Sequence, residues 1–147
     1  MDRLNRLTGG SLVIRTLELC GARMIFGIPG VHNLGMYEAL QESSLRFVTP
    51  RHEQGAGFMA DGYARSTRLP GIALVISGPG LTNILTPLGE AYHDSVPLLL
   101  ISSQIPRSRL GGRTVTLHEL KSSTLMSSSV TKASYAISRG EEIPWIL

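Results

Sequence analysis

Apolar positions in this chain fall into short unbroken runs separated by longer stretches with helical spacing. The runs are Met24-Ile25-Phe26, residues 45 to 49 (LRFVT), residues 71 to 77 (GIALVIS) and residues 97 to 102. Between them, residues 10 to 20, 31 to 42, 53 to 66 and about 81 to 93 read as helices. Buried strands separated by helices of roughly 10–15 residues predict a doubly wound α/β fold, a mostly parallel sheet with helices on both faces. In the first helix Leu12, Val13, Leu17 and Cys20 share one face, and Gly21 suits the helix end. Toward the end of the chain, Gly111-Gly112 marks a loop and the serine-rich residues 122 to 129 read as a helix and connection. Residues 132 to 137 (KASYAI) read as a fifth strand, and a last helix begins at Glu141-Glu142.

Composition narrows the class without naming a chemistry. The 147 residues, 42% hydrophobic and 17% charged, fit one globular domain spanning residues 1–147 that buries its own core. The formal charge of +3 comes from scattered basic residues with no interleaved aromatics, so no nucleic-acid partner is expected. Cys20 stands alone, which rules out an internal disulfide and fits a reducing, cytoplasmic setting. The start MDRLNRLTGG lacks a signal peptide's apolar core, and Val96 to Ile101 is too short to cross a bilayer, so no membrane is expected either.

The chemistry-bearing residues gather at one edge. Ile28-Pro29-Gly30 follows the first strand, Glu53 the second, and Ser77-Gly78-Pro79-Gly80 the third. All lie at strand carboxyl ends, where open parallel sheets bind ligands. The stretch RHEQGAGFMADGYAR, residues 51 to 65, sharpens the point. Glycine inside a helix costs roughly 1 kcal/mol relative to alanine, so Gly55 and Gly57 imply close approach by another helix or a ligand. Glu53 itself has two readings, a helix-start acid favoured by the macrodipole or a carboxylate held in a desolvated cleft. Ala56, Ala60 and Ala64 form a flat face that packs either on the sheet or on a partner subunit. His32, His93 and His118 read as structural on position alone, with His93 at the opposite sheet edge. No dinucleotide, phosphate-loop, zinc-protease or nucleophile-elbow motif is present, and no Cys/His cluster has metal-ligand spacing.

Four motifs in order, FGIPG (26 to 30), TPRHEQGAGFMADGYAR (49 to 65), SGPGLTN (77 to 83) and AYHDSVPLLLISSQ (91 to 104), resemble the pyrimidine-binding domain of thiamine-diphosphate enzymes. Within that family the acetolactate synthase-like group is the nearest match. The resemblance implies that Glu53 hydrogen-bonds N1′ of the aminopyrimidine and promotes the tautomer that takes the thiazolium C2 proton, for reaction with a 2-oxo acid. It implies that Ile28, Pro29 and Gly30 edge the pyrimidine, with Ser77, Gly78, Pro79, Gly80 and Asn83 on its other side. It also implies a close-packed homodimer, or a higher assembly such as a tetramer, with the small-residue helix at the subunit contact.

Departures from the family pattern matter as much. Acetolactate synthases carry Phe-Gln-Glu where this chain has Leu117-His118-Glu119-Leu120, a version similar to decarboxylases of longer 2-oxo acids such as 2-ketoarginine decarboxylase. Both reactions stay open, and His118 becomes a substrate-side residue. The family holds the cofactor's diphosphate through Mg²⁺ with a G-D-G…N motif on a separate domain, supplied downstream or in trans. That motif is missing here, since Asp61-Gly62 is followed by Tyr63. FAD would depend on a further domain. The domain's last helix and strand are expected to be lacking, and the 147-residue chain is expected to be inactive in isolation. A non-enzymatic reading, a binding or dimerisation remnant, stands as the alternative of another class.

Overall fold

A computed structural model describes residues 8–147. The chain runs α1 (Gly9–Leu19), β1 (Met24–Gly27), α2 (Leu34–Leu40), β2 (Arg46–Val48), α3 (Glu53–Thr67), β3 (Gly71–Val75), α4 (Pro79–His93) and β4 (Leu98–Ser102). The short helices α5 (Ser123–Ser128) and α6 (Ile143–Ile146) follow, with 3₁₀ turns at Arg107–Arg109 and Gly140–Glu142. The four strands form one parallel sheet in the order β2-β1-β3-β4. The connection from β2 to β3 passes over β1, so the chain reverses direction across the sheet as a doubly wound fold requires.

Side chains alternate across β1 and β3, and each face has its own core. Ile25, Ile72 and Leu74 pack with Val13, Ile14 and Leu17 of α1, Leu40 of α2 and Ile143 of α6. Phe26, Ala73 and Val75 pack on the other face with Ala56 and Ala60 of α3 and Leu81 and Ile84 of α4. The second core is built from small residues because its helices lie close. A Cβ on Gly57 would run into the Pro87 ring of α4, and one on Gly71 would strike the Ala60 carbonyl. This explains the helix glycine at 57: it lets two helices touch. Ala56, Ala60 and Ala64 are likewise buried within the chain, so the alanine face packs inside this fold.

Two further expectations need correction. Residues 132 to 137 form no strand; the segment is irregular and has no ladder partner. A strand needs a neighbouring edge, and this one is tied instead through Ser134, whose hydroxyl contacts Ser127 of α5 and Thr131. Tyr135 is left 67% exposed, so the alternation has no core to serve. Cys20, placed on the buried face of the first helix, is the exposed C-cap residue of α1. Among the described residues no helix is long and apolar enough to cross a membrane, and no group of three His, Cys, Asp or Glu is placed to hold a metal ion.

Candidate active site

Because β1 lies between β2 and β3, the loops that leave their carboxyl ends are neighbours. Residues 28–30, the start of α3 and residues 76–80 therefore meet at one rim. Local chemistry shapes each loop. The loop after β1 is stapled by Asn33, a fully buried residue: its Oδ1 accepts from the Gly30 amide at 2.6 Å and its Nδ2 donates to the Ile28 carbonyl at 3.2 Å. Asn33 also occupies the N-cap position of α2. Helix α3 starts at His52, whose Nδ1 accepts from the Gln54 amide at 3.1 Å, so that nitrogen carries no hydrogen. The cap fixes Glu53 as the first residue of α3.

Glu53 is half-buried, and its carboxylate has one side-chain partner. Asn83 Nδ2, one turn into α4, donates to Glu53 Oε2 at 3.0 Å. Among the described residues no cation lies within ion-pair distance of it. One carboxylate oxygen is thus fixed by a neutral amide while the other stays open to a ligand. The helix-start reading of Glu53 holds, since it is the first residue of α3.

The third loop is tighter than its glycines suggest. Gly78 has φ 65, and a Cβ there would lie 2.8 Å from the Cα of His118. His118 thus packs directly on the turn between β3 and α4, although it lies 40 positions away in sequence. Its Nδ1 is buried without a partner, as is the Ser77 Oγ, while the Ser77 amide donates to Ser103 Oγ at 3.1 Å. Gly30 and Gly80 serve another need. A Cβ on Gly30 would meet Ile76 Cδ1 at 2.5 Å, and one on Gly80 would meet Ile76 Cγ2 at 2.8 Å. Ile76 is therefore a wedge between the two loops, and these glycines make room for it. Pro79 is exposed and Gly80 buried.

The predicted residues therefore assemble: Ile28, Pro29, Gly30, Glu53, Ser77, Gly78, Pro79, Gly80, Asn83 and His118 occupy one rim. His93, exposed at the end of α4, sits at the other edge as expected. Asn33 and Ile76 were missed. An asparagine three residues after Gly30 is a recognisable turn signal, whereas nothing local marks Ile76. Cavities of about 130 Å³ beside Leu17, Cys20 and Leu99 and about 150 Å³ beside Gln104, Arg107 and Ile137 do not include Glu53. The rim is an open half-site. An open carboxylate oxygen and two buried, unpartnered polar atoms in a glycine cradle fit a flat heteroaromatic ring with hydrogen-bonding nitrogens, as the pyrimidine end of thiamine diphosphate has.

Comparison with known proteins agrees with this geometry. Residues 7–126 match the model of the thiamine pyrophosphate enzyme, N-terminal TPP binding domain. The chain is 47% identical over 147 residues to the probable 2-ketoarginine decarboxylase of Pseudomonas aeruginosa, covering 100% of this chain and 26% of that protein. It is 41% identical over 145 residues to an acetolactate synthase of Mycobacterium bovis, covering 98% of this chain and 23% of the relative. It is 38% identical over 143 residues to the acetolactate synthase isozyme 1 large subunit of Escherichia coli, covering 97% and 25% respectively. The chain thus spans about a quarter of the length of these relatives. With the fold, the rim and the match over most of its length in agreement, the chain belongs to the thiamine pyrophosphate enzyme family, as its N-terminal TPP-binding domain.

Proposed function

We propose that this chain forms the pyrimidine-binding half of an active site that decarboxylates a 2-oxo acid and joins the product to a second carbonyl compound, in acetolactate synthase-like chemistry. The observation that carries the reading is Glu53, a half-buried carboxylate held by Asn83, with no cation within ion-pair distance among the described residues. A carboxyl group in that state exchanges a proton with a ring nitrogen more readily than one clamped in an ion pair. Asn83 fixes Oε2, which leaves Oε1 to meet N1′ of the pyrimidine. Ile28, Pro29 and Gly30 edge the ring on one side. Ser77, with its free hydroxyl, and Gly78, Pro79 and Gly80 line the other. When bound, thiamine diphosphate supplies the electron sink for carbon–carbon cleavage.

The rest of the site lies on a diphosphate-binding domain, downstream or in trans, which holds Mg²⁺. The assembly is a cytoplasmic homodimer or tetramer through this domain, and FAD belongs to the full-length enzyme if at all.

A second reading, simple decarboxylation of a longer 2-oxo acid, is favoured by one feature. His118 stands where acetolactate synthases carry glutamine, and it packs on Gly78 with a free ring nitrogen. The likeness to a probable 2-ketoarginine decarboxylase points the same way.

The test is to supply the chain with a diphosphate-binding domain, thiamine diphosphate and Mg²⁺, then follow carbon dioxide release from pyruvate and from 2-ketoarginine. Acetolactate from pyruvate establishes the first reading, and an aldehyde from 2-ketoarginine without carbon–carbon joining establishes the second. No turnover of either, with cofactor bound, would sink both.

A further inference from the structure

Three non-glycine residues among the described ones have positive φ: Arg68, Ser95 and His118. Arg68 caps α3 and Ser95 follows the cap of α4, where left-handed residues commonly end helices. His118, at φ 67, ends no helix. Something else must hold a side chain-bearing residue in that conformation, because a Cβ crowds the following carbonyl there.

Three contacts surround it. The Gly78 backbone lies beneath, close enough that a Cβ there would touch His118. Glu119 closes the turn locally, its carboxylate accepting from the Thr116 amide at 2.8 Å and its amide donating to the Thr116 carbonyl at 3.0 Å. The third contact comes from 85 positions away, where His32 Nε2 lies 3.2 Å from the Leu117 carbonyl. A carbonyl only accepts, so His32 Nε2 carries the hydrogen and donates it. The two rings stand edge to face, with centroids 6.0 Å apart. His32 sits on a rigid base, since its neighbour Asn33 staples the loop at Ile28 and Gly30.

We propose that His32 is a positioning residue: its Nε2–H, donated to the Leu117 carbonyl, holds the left-handed turn that seats His118 on Gly78. The peptide that His32 grips is the one joining Leu117 to His118, so the bond sets the orientation of the residue whose Nδ1 is buried and unpartnered at the rim. It ties the loop after β1 to residues 117–118, which lie over the loop after β3. The consequence for catalysis rests on the substrate-side role of His118 proposed above, whereas the positioning itself does not.

Two measurements separate these. In the 147-residue chain, backbone couplings and shifts at His118 report the left-handed conformation, and long-range proton–nitrogen spectra report which nitrogen of His32 carries hydrogen. His32→Leu should lose the left-handed signature. His32→Gln, whose amide reaches the same carbonyl, should restore it. Survival of the signature in His32→Leu would overturn the proposal. In the enzyme assembled with its diphosphate-binding domain, His32→Leu should lower kcat/KM for the 2-oxo acid by about tenfold, as small misplacements at an active site do. The apparent affinity for thiamine diphosphate should stay within about twofold, and His32→Gln should recover most of the activity. Equal activity of His32→Leu and wild type, while Glu53→Gln abolishes turnover, rejects the catalytic consequence alone and leaves the cofactor reading standing. Turnover unaffected by Glu53→Gln rejects the cofactor reading instead, and the spectra still decide the role of His32.

Discussion

Helix α3 carries two carboxylates eight positions apart, and they live in opposite electrostatic settings. Glu53, at the first residue, has a neutral amide on one oxygen and no cation within ion-pair distance among the described residues. Asp61, two turns on, is buried and clamped: Arg65 Nε donates to Oδ2 at 2.7 Å and Arg65 Nη2 to Oδ1 at 3.2 Å. The same guanidinium reaches Asp94 after α4 at 2.7 Å, and these hydrogen bonds, Asp61 first, push its pKa still further above the ordinary arginine range. One end of the helix is locked by a three-member ion network that joins α3 to α4. At the other end, Glu53 has an amide donor and no ion-pair partner among the described residues. A carboxylate that must pass a proton cannot be held by a permanent cation, whereas one that ties two helices together gains from it.

The sharpest way to break this contrast is to remove each acid in turn. Glu53→Gln should cut turnover of the assembled enzyme by at least about 100-fold, about 2.7 kcal/mol of transition-state stabilisation, with little change in melting temperature. Activity within about threefold of wild type would end the comparison.

Next in size is the contact midway between the acids. Gly57→Ala places a methyl against the Pro87 ring, and overpacking of this kind should cost about 1–3 kcal/mol in urea unfolding. Gly62 has nothing within 4 Å of an added Cβ, so Gly62→Ala should instead stabilise by about 0.4–1 kcal/mol. If both changes moved stability the same way, α3 would not approach α4 as described.

Asp61→Asn should cost about 1–2 kcal/mol, less than a fully buried pair because the Arg65 side chain is 43% exposed. It should leave turnover unchanged, the mirror image of Glu53→Gln, and an equal activity loss from both would erase the distinction.

The smallest effect belongs to Glu18, a half-buried acid whose Oε1 accepts from Ser43 Oγ, the Ser44 amide and Ser44 Oγ, bonds that lower its pKa below the ordinary glutamate value. A depressed folded-state value adds stability that is complete above the unfolded value and lost as pH falls through the folded one. Glu18→Gln should therefore lower stability by a constant small amount above about pH 4.5, a difference that fades as pH falls, so the acid limb becomes flatter. An unchanged acid limb would show these bonds too well solvated to count.

Much of the fold was legible because its signals are local. Strand runs and helix spacing placed β1 to β4 and α1, α3 and α4 within a few residues. α2 was expected over 31 to 42 but spans Leu34–Leu40, because Asn33 takes the cap and residues 31 to 33 form a turn. The segment KASYAI has the same alternation as a strand, yet pairing depends on an available edge, which alternation does not report. Cys20 fell on the apolar stripe of α1 but lies past its last turn, where the stripe faces solvent.

At the rim, glycine and proline punctuation located all three loops, while it was the resemblance to thiamine-diphosphate enzymes, and no local pattern, that singled out Glu53. The loop positions follow from the sequence, because backbone conformation and hydrophobic period are set by neighbours a few positions away. The tertiary structure decided the rest. It set Asn83 on Glu53 across 30 positions, His118 on Gly78, His32 on the Leu117 carbonyl, and Ile76 in the space that Gly30 and Gly80 leave open. It also assigned the alanine face to the sheet and Gly57 to Pro87. Each is a contact between distant segments, and which distant atoms meet depends on sheet order and packing, which no local pattern encodes.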